Sequence, residues 1–73
     1  MSPHLPHLTS REVVRLVEMN GFVFDRQKGS HAVYRHPDGR RVTIPIHTSR
    51  TIGVGLLRQI LRDAEINPDE LRK

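Results

Sequence analysis

The chain contains no cysteine and no tryptophan in 73 residues, and its aromatic complement is two phenylalanines and one tyrosine. Without thiols, disulfides and thiolate metal sites are excluded, so a domain this small has to fold on its hydrophobic core alone. No stretch approaches the roughly 18 to 20 consecutive apolar residues of a membrane span, and the opening "MSPHLPHL" has neither the basic start nor the apolar run of a signal peptide. A cytoplasmic protein with no membrane contact is expected. The hydrophobic share is 36%. Even with glycine added, that is just below the about 45–50% of globular domains. One domain of at most two layers fits, with no deep enclosed pocket, so a large substrate is expected to lie across a surface. The scarcity of rings leaves few platforms for stacking bases.

What the chain does have is arginine. Twelve Lys and Arg oppose eight Asp and Glu, for a net charge of +4, and ten of the twelve cations are arginine. Five of the twelve cations, four of them arginine, fall in "RQKGSHAVYRHPDGRRVTIP", residues 26–45, which holds no glutamate and one aspartate, Asp38. Guanidinium groups suit paired contacts with phosphate, and their clustering on one segment favours a polyanionic partner over a scatter of solvated charges.

Residues 1–8 carry two prolines and two histidines without periodicity and read as a flexible N-terminal arm; residues 9–73 read as a single domain. Thr9 and Glu12 fit a capping box opening a helix with Val13, Leu16 and Val17 as its apolar stripe, Val14 and Met19 beside it, and Gly21 as a left-handed stop. From Phe22 the period changes to two, giving a strand to about Gln27 with Phe22 and Phe24 on one side. Lys28, Gly29 and Ser30 are read as a three-residue turn, because that length pairs Phe22 and Phe24 with His36 and Tyr34 on the buried side. Ala32 to His36 is the second strand, "HPDGR" the second turn, and Arg40 to Ile46 the third strand, with Pro45 marking an edge or a bulge. "HTSRTIG" reads as a linker. A second helix over about 53–64 uses Leu56, Leu57, Ile60, Leu61 and Ala64 as its core stripe, and Asn67, Pro68 and Glu70 signal a closing turn. The order is αβββα. The fold class is therefore α+β, a three-stranded antiparallel sheet with two helices on one face and a short C-terminal helical turn.

A turn at Pro37–Gly39 sets His36 opposite Arg40, Tyr34 opposite Val42 and Ala32 opposite Ile44, all facing the helices. By the same parity the other face shows His31, Val33 and Arg35 against Pro45, Thr43 and Arg41, with His47 diagonal to His31. Two imidazoles are thus expected on one sheet face.

Taken together, "NGF", "KGSH", "Y.HPDG" and "P.H", followed by the helix start "VGLLRQILRDAEI", resemble the HicA family of toxin mRNA interferases over about residues 9–66. The resemblance implies a fold like the double-stranded RNA-binding domain, metal-independent cleavage of mRNA with no cofactor, and a catalytic histidine at the end of "GSH", here His31. It also implies a HicB-type antitoxin partner that masks the site. One departure is visible: ahead of Gly55 the chain reads Thr51, Ile52, Gly53, Val54, where the family has a lysine and a proline. A phosphate-contacting cation is thereby missing, which bears on RNA affinity and leaves the hairpin chemistry untouched.

Cleaving RNA without a metal requires a proton to leave the 2′-hydroxyl, the phosphorane to be stabilised and the 5′-oxygen to gain a proton. An imidazole, ordinarily titrating near about 6.5, suits both transfers. His31 takes the proton transfer in this reading, and His47 is the candidate for the second group on the parity argument. Arg26 and Lys28 flank the turn and can offset phosphorane charge. The backbone N–H groups of Gly29 and Ser30 can approach phosphate closely, while Arg35, Arg40 and Arg41 are expected to hold flanking phosphates. Without the motif, His31 would be read as a residue that merely starts a strand. His36 is expected to be structural, Ser30 a turn hydroxyl, and His4 and His7, three apart without helix signals or nearby acids, no metal site. A non-catalytic RNA-binding module of the same shape is the alternative function; it needs the basic face but not His31.

Overall fold

The computed structural model of the protein describes residues 5–47 and 50–72. His4, Thr48 and Ser49, and with them the first half of the arm and part of the expected linker, lie outside the described residues. In chain order the elements are β1 (Leu8–Thr9), α1 (Ser10–Met19), β2 (Val23–Lys28), β3 (His31–Arg35), β4 (Arg41–Pro45), β5 (Thr51–Ile52), α2 (Val54–Ala64) and a closing 3-10 turn (Pro68–Arg72). The expected α+β architecture is present: β2, β3 and β4 form an antiparallel sheet in that order.

Local chemistry accounts for the boundaries. At the start of α1 the Thr9 hydroxyl accepts the Glu12 N–H at 3.2 Å, and Glu12 Oε1 accepts the Thr9 N–H at 2.8 Å. Orphan donors at the helix start are thus satisfied reciprocally. The helix stops at Gly21, where φ is +91° and the Phe22 N–H reaches back to the Val17 carbonyl. A Cβ at Gly21 would also stand 2.8 Å from His36 Nε2, so both conformation and space demand glycine there. α2 ends on Glu65, which takes the left-handed conformation at φ 57°. That costs a non-glycine residue about 1–2 kcal/mol. The buried Ile66 offsets it, its N–H bonding the Leu61 carbonyl.

The β3–β4 register is the expected one, with Ala32 opposite Ile44 and Tyr34 opposite Val42. These four side chains are buried and merge with Val13, Val17, Phe22, Leu57, Ile60, Leu61 and Ala64 into one core, so both helices lie on the same face of the sheet. The β2–β3 register differs from expectation. Phe24 does pair with Tyr34, but Lys28 pairs directly with His31, leaving a two-residue turn, Gly29–Ser30, and the extra residue is absorbed as a bulge at Asp25. Gly29 has φ +58° while Ser30 does not enter the positive region, the geometry that a Gly-X two-residue hairpin prefers. The bulge reconciles the tight turn with the inward-facing aromatic pair.

Three apolar residues assigned to the core or its border are instead exposed. Met19 at the end of α1 and Phe24 on the edge strand β2 are largely exposed, and Leu56 on α2 is 42% exposed. Leu8, placed at the end of the arm, pairs with Ile52 in a small two-stranded ribbon that ties the front of α1 to the segment before α2. Segments of two residues carry no periodicity, so sequence pattern could not reveal it.

Candidate nucleic-acid interface

Because side chains alternate along a strand, the face of the sheet turned away from the helices collects the residues of opposite parity to the core. Arg26 pairs with Val33 and Lys28 with His31 across β2–β3, and His31 with Pro45, Val33 with Thr43 and Arg35 with Arg41 across β3–β4. Four cations and a histidine therefore share one open face. Asp25 is the acid beside them, and it is paired with Arg35 at 3.5 Å. Among the described residues Arg26, Lys28 and Arg41 make no ion pair and no side-chain hydrogen bond, so their charge is available to a ligand.

His31 is exposed on this face. The tight turn makes it the first residue of β3, directly across from Lys28, the last of β2. On its other side it lines an open groove of about 340 Å³ together with Arg41, Thr43 and Pro45 of β4. The far wall of that groove is α2, through Leu56, Gln59 and Asp63, with buried Ile60 beneath. The two turn residues adjoin the same corner: the Gly29 carbonyl accepts from the Gln27 amide and the Ser30 carbonyl from the Ile46 N–H. An ammonium, a guanidinium and an imidazole thus converge on one surface that an extended polyanion can reach.

Arg40 is placed differently from the role assigned to it. Its side chain turns to the helix side, where it bonds both carboxylate oxygens of Asp38, caps the Ala64 carbonyl at the end of α2 and lies over the Phe22 ring at 5.2 Å from the centroid. A guanidinium so occupied binds the fold together and is not offered to phosphate. Asp38 is held below the usual carboxylate range, chiefly by the Arg40 backbone N–H; desolvation opposes this, and the Arg40 side chain adds to the lowering. His36 is structural, as expected. Its Nδ1 lies 3.1 Å from the Asp38 N–H it accepts, and its ring meets Phe22 edge-on at 5.2 Å. Tyr34 on the same inner face has its phenol pushed up by burial, with Glu18 adding to the shift.

His47 and His31 line different grooves. The β4 strand ends at Pro45, and beyond Ile46 the chain leaves the sheet toward α1, where the His47 N–H donates to the Ser10 hydroxyl at 3.0 Å. His47 lines a separate groove with Thr9, Ser10, Arg11, Val14 and Ile46, sharing no residue with the one beside His31. The expected shared face needed a strand that continued for two more residues. Ser10, missed in the sequence, causes the departure: it is buried, and its hydroxyl donates to the Pro45 carbonyl at 2.6 Å while accepting from His47. Nothing in the local pattern marks a helix-opening serine as a clamp on a strand 35 residues away.

Also unforeseen were Leu56, Gln59 and Asp63, which the helical pattern assigns to core or solvent. Among the described residues no three His, Cys, Asp or Glu side chains gather as metal ligands would. A family model described as HicA toxin of bacterial toxin-antitoxin matches residues 10–66, a span that includes the whole hairpin and α2. No curated protein matches the chain.

Proposed function

The chain belongs to the HicA toxin family of bacterial toxin–antitoxin systems, and from that premise we propose that it is an endoribonuclease that cleaves mRNA without a metal ion, with His31 moving the protons. The observation that carries the reading is His31 itself: exposed, paired across the hairpin with Lys28 and sharing a groove with Arg41. The backbone of an mRNA would lie along the outer face, its phosphates on Arg26, Lys28, Arg35 and Arg41. Arg35 would exchange its exposed pairing with Asp25 for phosphate at little cost, since such surface pairs contribute only about 0–1 kcal/mol.

In the proposed reaction the neutral imidazole of His31 takes the 2′-hydroxyl proton, the 2′-oxygen attacks phosphorus, and the bond from phosphorus to the 5′-oxygen breaks. The products are a 2′,3′-cyclic phosphate and a 5′-hydroxyl. The proton held by His31 returns to the leaving oxygen, so one histidine on an open face serves both transfers. Lys28 and the Gly29 and Ser30 amides counter the charge that builds on the phosphorane. Arg40 has no part in binding, and His47 belongs to a different groove from His31. A HicB-type antitoxin completes the system in this reading by covering the basic face. With mRNA as target the site of action is the cytoplasm, and no helix among the described residues is long and apolar enough to cross a membrane.

The test is incubation of the purified chain with a long RNA in the presence of a chelator, followed by analysis of the fragment ends. Cyclic phosphate ends that disappear with His31→Ala, while RNA binding persists, support the reading. Intact RNA in the presence of folded, RNA-binding protein would instead make the chain a non-catalytic RNA-binding module.

A further inference from the structure

The groove beside His31 has a wall that phosphate binding does not explain. Its sheet side is basic and open through Arg41, but its helix side presents the Asp63 carboxylate, the Gln59 amide and the half-exposed Leu56. Among the described residues neither Asp63 nor Gln59 has an ion pair or a side-chain hydrogen bond. A carboxylate repels phosphate, so the backbone of a bound strand stays on the Arg41 side and what turns toward α2 is the base. A volume of about 340 Å³ is at the small end of ligand sites, which run from about 300 to 1,000 Å³, and takes one ring system. The Leu56 side chain and the Pro45 ring can lie against the faces of that ring system where no aromatic residue is present.

We propose that this groove is a nucleobase subsite for the RNA on which His31 acts, and that Asp63 and Gln59 select a base carrying an exocyclic amino group. The inference rests on the ribonuclease reading and deepens it. An ionised carboxylate only accepts hydrogen bonds. Adenine and cytosine present an amino donor beside a ring acceptor, which the Asp63 carboxylate and the Gln59 amide can meet as a pair. Uracil presents its single N–H between two carbonyl oxygens, and those oxygens would face the carboxylate. Discrimination of this kind comes from leaving a polar group unpaired or opposed, and is worth about 1–3 kcal/mol for a well-placed contact. The scarcity of aromatic residues limits the chain to this one point of readout, so the expected preference is for a single position within an otherwise sequence-tolerant contact.

The experiment measures binding of short 2′-O-methyl oligonucleotides of A, C or U to the full chain by fluorescence anisotropy. These probes lack the attacking hydroxyl, so binding is read whether or not the protein cleaves. The A and C probes are expected to bind at least about ten-fold more tightly than the U probe, a gap matching the lower end of that range. Asp63→Asn is expected to bring U within about three-fold of A at an unchanged melting temperature, because an amide can donate to a carbonyl. Gln59→Leu is the second variant and should weaken A and C alike. Equal binding of all three probes by the wild-type chain, an undiminished preference in Asp63→Asn, or no binding to any probe would overturn the subsite. A wild-type chain that shows the preference yet never cuts RNA would overturn the nuclease reading and leave the subsite standing.

Discussion

Arg40 and Arg41 are neighbours in the sequence, yet Arg40 is locked between Asp38, Ala64 and Phe22 whereas Arg41 opens onto the groove beside His31. His36 and His31 repeat the contrast: the first accepts a bond from the Asp38 N–H and packs on Phe22, and the second stands exposed across from Lys28. Both contrasts have one cause, the two-residue period of the pleat, which sends alternate side chains to the helix layer and to the open face. The difference teaches that charge counted along the hairpin overstates charge available to a ligand. On the inner face Arg40 closes a helix end and a turn; on the outer face Arg26, Lys28 and Arg41 remain uncommitted and Arg35 holds only an exposed pairing with Asp25.

The sharpest way to break this comparison is to exchange the fates of the two histidines. His31→Ala should reduce RNA cleavage by at least about 10²-fold, the lower end of what a positioned acid or base contributes, and leave the melting temperature unchanged. His36→Ala should do the reverse, lowering the melting temperature while cleavage below that temperature is retained. Next in size is the arginine pair. Arg40→Ala should destabilise the chain by about 1–3 kcal/mol in urea unfolding, because it leaves the Ala64 carbonyl without its guanidinium partner and Asp38 with only the backbone N–H of residue 40. Arg41→Ala should leave stability within about 0.5 kcal/mol but weaken RNA binding and reduce its salt dependence by about one unit of slope.

The smallest effect is a pH dependence confined to the inner-face turn. Asp38 titrates lower in the folded chain than in the unfolded one, with the Arg40 backbone bond as the chief cause. Its contribution is therefore complete above the ordinary carboxylate value of about 4 and is lost as pH falls through the depressed one. Asp38→Asn should flatten the acid limb of a stability–pH curve without altering RNA binding at neutral pH. Tyr34 acts at the other end of the scale. Its raised pKa means that the neutral phenol favours the fold, a contribution present below about 10 and lost as pH rises beyond it.

Most of the architecture was legible because its signals were local or strictly periodic. The capping box at Thr9 and Glu12, the stop at Gly21 and the alternation of Val42 and Ile44 each name their own structure. The β3–β4 register followed from the tight turn at Pro37–Gly39. The first hairpin carries two conflicting signals, inward-facing phenylalanines that favour a three-residue turn and a Gly29–Ser30 pair that favours a two-residue one; the bulge at Asp25 makes them compatible. His31 was identified by motif and its exposure by parity, so the centre of the candidate site was within reach of the sequence. The other wall of that site was not. Leu56 fits the apolar stripe of α2 as well as Leu57 does, and only the packing of the helix against β4 determines that the first lines a groove and the second is fully buried. Ser10 was out of reach for the same reason, since its partners lie on a distant strand.

The most direct test of the division between the two faces is an NMR titration of the labelled chain with an uncleavable 2′-O-methyl RNA, following the ring signals of both histidines and the amides of β3 and β4. The account predicts that the His31 ring and the amides around Lys28 and Arg41 shift with a common affinity, while the His36 ring holds its position until the chain unfolds. Shifts gathered at Met19, Val23 and Phe24 with His31 unmoved would contradict it.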